Sequence, residues 1–289
     1  MARSAHAQGD SNDLAVARNY LLIPSLAQGL YLYRSHPTRD LTSATTARIA
    51  AWLYGRWLLS GAYRFSYFAP VQLTAAAIAA GAQNPVTWRQ HDGYVTMGYA
   101  ALRFGATLHY GVLAGSLAAT PDYAETSHHI GATARFSPWG DGLLSLTASI
   151  YPTETLFRGE LGWSLPITER LRARPAMALQ WSGGALRPNG SLTVSYDHPR
   201  FSIFVGGKYG VELRPAYLSV EVVYNGPERI PMGVWSGITV RPSLRARLGL
   251  SLSYALDRLL RDTTDATTGA VTVIDSQAHY LTLGVSKEI

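Results

Sequence analysis

Apolar and polar residues alternate with a period of two along most of the chain. This is the pattern of strands that set one face against an apolar medium and the other against a polar one. Leu144, Leu146, Ala148 and Ile150 alternate with Ser145, Thr147 and Ser149, and Ala132, Ala134 and Phe136 alternate with Thr133, Arg135 and Ser137. Phe157, Leu161, Trp163 and Leu165 oppose Arg158, Glu160, Gly162 and Ser164. Ala173, Met177, Leu179 and Trp181 oppose Arg172, Arg174, Ala176, Ala178 and Gln180. The longest run covers Leu244 to Leu256. It places Leu244, Ala246, Leu248, Leu250, Leu252, Tyr254 and Leu256 on one face, with Arg245, Arg247, Gly249, Ser251 and Ser253 on the other. Strands of soluble sheets run to about five or six residues, whereas about 9 to 11 tilted residues cross a bilayer, with room for an extension beyond it. The polar face is mostly Ser, Thr, Gly and Arg, a composition suited to a crowded, partly wet lumen.

Connections between these runs alternate in length. Short ones are read at 137–142, 197–200, 225–228 and 241–243, and longer ones at 119–127 and 257–272. With the less distinct hairpins of the first half, the pattern predicts an all-β, closed antiparallel transmembrane barrel of about 12 strands, within limits of 10 to 14. The range 44–115 resists clean division. Within it, the alanine-rich segment 73–82 reads either as a short helix in a loop or plug or as a strand of small side chains. Aromatic residues near segment ends, namely Tyr31, Tyr33, Trp163, Trp181, Tyr196, Tyr224 and Tyr254, are candidates for interfacial girdles.

Composition points the same way. Charged residues are only 15% of the 289 residues, against roughly 25% in soluble domains, while hydrophobic types reach 47% and aromatics 11%. Aromatic content this high excludes intrinsic disorder. No apolar run approaches the roughly 18 to 20 residues of a spanning helix. Only helices and closed barrels satisfy every backbone polar group in lipid, so a membrane-embedded form of this chain is a barrel. Cysteine is absent, which excludes disulfides, Cys-ligated zinc, iron–sulfur clusters and thiol catalysis. Ala5-His6-Ala7 has the small-x-small form of an export cleavage site without a preceding apolar stretch. Residues 1–16 are therefore read as an export remnant or flexible N-terminal segment, and 17–289 as a single barrel domain.

On these features the chain resembles the bacterial outer-membrane β-barrel class over nearly its full length. The resemblance is architectural and carries no family-specific motif. It implies location in the bacterial outer membrane, contact with outer-membrane lipid, and insertion by the barrel-assembly machinery. The final segment from His279 to Ile289 has the alternation of a terminal barrel strand, but it ends in Ile289 where the class has an aromatic residue and carries Lys287 at a normally apolar position.

Catalytic groupings are weak. Ser127 and His128 are adjacent and so point to opposite faces of an extended strand, which argues against a nucleophile–base pair. The aspartates 257, 262, 265 and 275 lack the spacing of a calcium loop. No phosphate-binding glycine loop occurs, and the basic residues that give a net charge of +6 form no nucleic-acid stripe. Glu160 and Arg158 share a phase and predict a lumen ion pair; Glu221 and Asp197 are the other acids visible in the polar phase. The lumen-lining candidates are Arg56, Arg135, Arg158, Glu160, Arg172, Arg174, Arg245 and Arg247. The sequence thus predicts a non-enzymatic barrel without cofactor, metal or nucleic acid, acting as a structural or interaction component of an envelope assembly with other envelope proteins. The alternative is a passive, weakly anion-preferring pore or uptake channel. A barrel lipid hydrolase ranks below both.

Overall fold

The alternating segments pair with their sequence neighbours and close on themselves. The computed structural model describes residues 20–289 except 36–39, 70–86, 102, 118–123, 138–140, 215, 218–221, 224–227, 244 and 265–270. The elements in chain order are β1 (Tyr20–Arg34), β2 (Leu41–Leu53), β3 (Trp57–Ala69), β4 (Trp88–Ala100), β5 (Phe104–Leu117), β6 (Ala124–Phe136), β7 (Asp141–Ile150) and β8 (Thr155–Pro166). They continue as β9 (Leu171–Ser182), β10 (Ala185–His198), β11 (Phe201–Leu213), β12 (Ala216–Tyr217), β13 (Val222–Val223), β14 (Arg229–Val240), β15 (Leu248–Thr264) and β16 (Val271–Lys287). All but β12 and β13, which pair with each other, form one closed antiparallel barrel. Closure is made by β1 against β16, in register from Ser25↔Ser286 to Arg34↔Gln277. Leu22 and Ile289 extend this seam by exchanging backbone hydrogen bonds of 3.2 and 2.8 Å. A closed ladder leaves no unpaired edge, which is what permits a sheet to sit in lipid.

The barrel has fourteen strands, more than the central expectation of about twelve. The difference arises in 44–115, which resolves into β2 to β5. Strand β2 sets Ser43, Thr45 and Ala47 on the same face as Ile49, so its two faces differ little in hydropathy and the alternation is faint. On that outer face the Thr45 hydroxyl donates to Gln28 Oε1 at 2.6 Å, so the two polar groups satisfy each other. The alanine-rich segment 73–82 lies outside the described residues.

Connections are short at one end of the barrel, between β2 and β3, β4 and β5, β8 and β9, and β10 and β11; Tyr20 and Ile289 lie at this turn end. The opposite, loop end carries the longer connections after β1, β3, β5, β11 and β15. Two expected connections differ. The short turn read at 225–228 belongs instead to the 15-residue connection 214–228, which contains β12 and β13. The loop read at 257–272 is largely strand, because β15 and β16 run for 17 residues each and project past the others. Their polar outward residues look like loop in the sequence only because they stand above the apolar belt.

The outer face is a belt of exposed apolar side chains, including Leu30, Val95, Leu146, Leu179, Val205 and Leu252. Leu250 and Tyr254 belong to it. Trp163, Trp181, Tyr196 and Tyr254 share this outward phase, but Tyr31 and Tyr33 do not: they alternate with exposed Leu30 and Leu32 and point inward. Tyr224 lies outside the described residues.

Candidate functional site: the lumen and the inward end of β11

Inward residues build two unlike walls. On β16, β1, β3 and β4 the inward phase carries Tyr280, Tyr31, Tyr33, Phe68, Trp88 and Tyr94. The Tyr31 and Tyr280 rings meet edge to face, 5.1 Å between centroids. Arg64 spans this wall. Its Nη2 donates to the Tyr31 hydroxyl at 3.2 Å, its guanidinium stands 5.7 Å from that ring's centroid, and its Nε is 3.9 Å from Asp92 Oδ2. Buried Asp92 also accepts from Gln90 Nε2 at 2.9 Å and from the Tyr94 hydroxyl at 3.4 Å.

The facing wall holds a chain of alternating charges. Arg174 Nη2 lies 3.7 Å from Glu160 Oε1, and Glu160 Oε2 lies 2.7 Å from Arg158 Nη2. Arg158 reaches Glu212 Oε1 at 3.3 Å, Glu212 Oε2 is 3.0 Å from Lys208 Nζ, and Lys208 is 3.9 Å from Asp257 Oδ1. Three cations and three anions thus neutralise one another from β9 round to β15. Opposite charges attract more strongly away from water, and because each has been desolvated, removing one partner leaves the other at a high cost. The Lys208–Asp257 link passes over the backbone of β14 at Gly233, where a Cβ would collide with Asp257 Oδ1 and stand 3.1 Å from Lys208 Cε.

The structure places the predicted lumen residues differently from one another. Arg158 and Glu160 pair directly within the charge chain. Arg172 and Arg174 are inward near the turn end, Arg172 Nη1 lying 3.5 Å from Asp141 Oδ2. Arg135 shares the inward phase of β6 in the fields of Arg174 and Asp141. Arg56, Arg245 and Arg247 do not line the lumen. All three are exposed in turns at the turn end, Arg56 between β2 and β3 and the other two between β14 and β15. Alternation in the sequence runs straight through 244–248, but β15 begins only at Leu248, and Arg247 adopts a left-handed φ of 51° that ends the ladder there. Glu221 lies outside the described residues. Asp197 is exposed at the turn end of β10. The acids that neutralise the arginines of β8 and β9 from other strands, Glu212 and Asp141, were not legible as partners. Only the i, i+4 spacing of Lys208 and Glu212 on one strand face offered a signal.

At the loop end β11 parts from β10 while staying paired with β14 as far as Leu213↔Arg229. The β10–β11 ladder stops at Gly190↔Tyr209. Pro188 brings no N–H to β10, and Gly210 takes a φ of 117°, with Pro188 O and Asn189 Cα each 2.5 Å from where a Cβ would sit. Only glycine fits such a turn in such a space. Pairing with β14 shifts register between Tyr209 and Glu212. The end of β11 then lies against strands two or more places away. Gln180, buried on the inner face of β9, donates Nε2 to Leu213 O at 2.6 Å and accepts the Leu213 N–H through Oε1 at 2.7 Å. Beyond it, the Tyr151 hydroxyl donates to Arg214 O at 3.2 Å, and the Arg214 guanidinium stands 4.9 Å from the Tyr151 ring and 3.4 Å from Glu154 Oε1. Arg214 itself has a φ of 39°, a strained conformation for a non-glycine residue that its surroundings must hold. The largest fully buried side chains, among them Leu113, His129, Gln180 and Glu212, all lie in the loop half. The lumen is packed there and wetter toward the turns, where Arg135 and Arg174 are exposed.

Ser127 pairs not with His128 but with His129, two residues on, with Oγ and Nε2 3.0 Å apart on the inward face. His128 points outward to the Tyr110 hydroxyl at 2.8 Å. His129 Nδ1 has no hydrogen-bond partner among the described residues, so the pair has no third group to orient the imidazole. No cluster of metal-ligating side chains occurs among the described residues.

No protein family and no curated protein matches the sequence. Solved structures do resemble the fold. The P. putida toluene transporter TodX aligns with a TM-score of 0.55 at 10% identity over 95% of this chain and 91% of its own. A TodX deltaS2S3 mutant, described as a monoaromatic hydrocarbon channel, gives 0.58 at 9% identity over the same shares. A Pseudomonas aeruginosa FadL homologue gives 0.55 at 8% identity, covering 93% of this chain and 90% of its own. Short turns mark the periplasmic end of such barrels and long loops the extracellular end. A closed fourteen-stranded antiparallel barrel with an apolar outer belt, similar over nearly its whole length to these proteins, makes this chain a bacterial outer-membrane β-barrel protein resident in the outer membrane.

Proposed function

We propose that the barrel is a passive outer-membrane channel for small apolar or aromatic solutes, with the inward end of β11 as its constriction. The observation that carries this is the mutual neutralisation of the lumen charges opposite a wall of inward aromatics. A cancelled charge chain offers no excess field to draw anions, which removes the basis for the anion preference expected from the arginines alone. Aromatic faces, by contrast, offer apolar and edge-to-face contact to an unsaturated ring. Similar barrels described as a toluene transporter and a monoaromatic hydrocarbon channel support the same class of cargo. The test is uptake of a radiolabelled monoaromatic hydrocarbon by cells with a glycolipid-rich outer leaflet, which such solutes cross slowly unaided. Expression should raise the initial rate severalfold, with no change for a sugar of equal size. Equal rates with and without the protein would overturn the proposal.

A second reading, a sealed scaffold for envelope partners, draws on the packing of the loop half and the satisfaction of its arginines. A purified barrel that never conducts in planar bilayers, even with β11 released, would favour it.

A further inference from the structure

The outer surface carries a repeated feature. Tyr63, Tyr110 and Tyr254 are each the seventh residue of their strand from the turn end. Each hydroxyl meets the Nδ1 of an outward histidine on the next strand: His91 at 2.6 Å, His128 at 2.8 Å and His279 at 2.8 Å. The histidines stand opposite Phe65, Val112 and Leu256, each two residues further toward the loop end than the tyrosine. Amphipathic rings on the outer face of a barrel mark a boundary between hydrocarbon and headgroups. When the tyrosine hydroxyl donates to Nδ1, the imidazole proton sits on Nε2 and is a free donor at that boundary.

Directly loop-ward of the Tyr254–His279 pair, at the seam of β15, β16 and β1, the outer rim has a cleft of about 490 Å³ lined by Arg34, Ser35, Arg258, Asp275, Ser276 and Gln277. Two guanidiniums reach it. Asp275 holds Arg258 by Nε at 3.1 Å and Nη2 at 2.6 Å, which fixes the planar fork and leaves its Nη1 donors without a partner among the described residues. Arg34 follows Leu30 and Leu32 in the outward phase and has no acidic partner among the described residues. The cleft therefore presents oriented guanidinium donors, the Gln277 amide and the Ser35 hydroxyl just above the hydrocarbon, with apolar belt below. This is complementary to a phosphate on a sugar whose acyl chains descend into the outer leaflet.

We propose that this cleft binds the phosphorylated sugar headgroup of an outer-leaflet glycolipid, a role independent of what the lumen carries. The test is native mass spectrometry and binding of the purified, delipidated barrel to bisphosphorylated lipid A, to the same lipid with its phosphates removed, and to inorganic phosphate. The wild type should bind the phosphorylated lipid and bind the dephosphorylated form at least tenfold more weakly, with millimolar inorganic phosphate failing to compete. Arg34→Gln with Arg258→Gln should lower affinity for the phosphorylated lipid at least tenfold, while Arg229→Gln, on the same outer face but outside the cleft, should leave it unchanged. Equal binding of both lipid forms by the wild type would overturn the proposal without recourse to any variant. Full competition by inorganic phosphate would also overturn it, by making the cleft a site for the free anion. So would unaltered binding by a folded double variant.

Discussion

Replacing Gln180 with Met isolates the constriction. The change roughly conserves volume but removes both hydrogen bonds to the Leu213 backbone, at 2.6 and 2.7 Å, from a site where the glutamine is 1% exposed. A neutral hydrogen bond contributes about 0.5–1.5 kcal/mol net, so losing two weakens the hold on the end of β11 by about 1–3 kcal/mol. Nothing on the outer face or in the wall ladders changes. On the proposal that the inward end of β11 is the constriction, the loss falls on the equilibrium between inward and released positions of that end, and 1–3 kcal/mol corresponds to about a 5- to 150-fold rise in the released population. Single-channel recording in planar bilayers reads that population as open probability, and denaturant titration in lipid vesicles checks that the barrel still folds. A folded Gln180→Met protein whose open probability stays within twofold of wild type would refute the argument that Gln180 holds a gate.

Leu250→Arg should destabilise the barrel in lipid by about 2–4 kcal/mol, because Leu250 lies on the outer belt, whereas Ser251→Arg on the inward phase should be far milder; folding titrations in vesicles compare them. Glu212→Gln leaves Arg158 with Glu160 and Lys208 with Asp257 but breaks the centre of the charge chain, so it should cost about 3 kcal/mol and shift the reversal potential of any conductance toward anion selectivity. At the outer rim, the hydrogen bonds from Arg258 hold the Asp275 carboxyl below its ordinary value of 3.8. A depressed carboxylate contributes its stabilisation above the unfolded value and loses it as the pH falls through the folded one. The pair should therefore persist from neutral pH down past 4, and a carboxyl NMR titration should place its midpoint below 3.8, with Arg258→Gln bringing it back up.

Much of the architecture was legible because a barrel in lipid is a local code. Each strand must show lipid one face and the lumen the other, so Leu144 to Ile150 or Phe157 to Leu165 declare their orientation residue by residue. The code fails where the faces differ little, as in β2 with Ser43 and Thr45 outward, and two strands of the fourteen were lost there. It also fails where alternation outlasts the strand, which is why Arg245 and Arg247 were read as lumen residues though they sit in a turn. The phase of Arg158 and Glu160 was visible within one strand.

The tertiary structure alone decided what those charges do. Glu212 and Asp257 meet Arg158 and Lys208 only because closure brings β8, β11 and β15 round a common interior, and no sequence spacing encodes a contact across 54 residues such as that of Arg158 with Glu212. The inward course of β11 is likewise written in pieces that mean nothing separately. Pro188 and Gly210 are ordinary turn-prone residues until the fold sets them side by side, and Gln180 is one more polar lumen residue until the Leu213 backbone is delivered to it. Periodicity determines which way a side chain points, because it is a property of one strand. What a side chain meets depends on strand number, register and closure, which belong to the whole barrel.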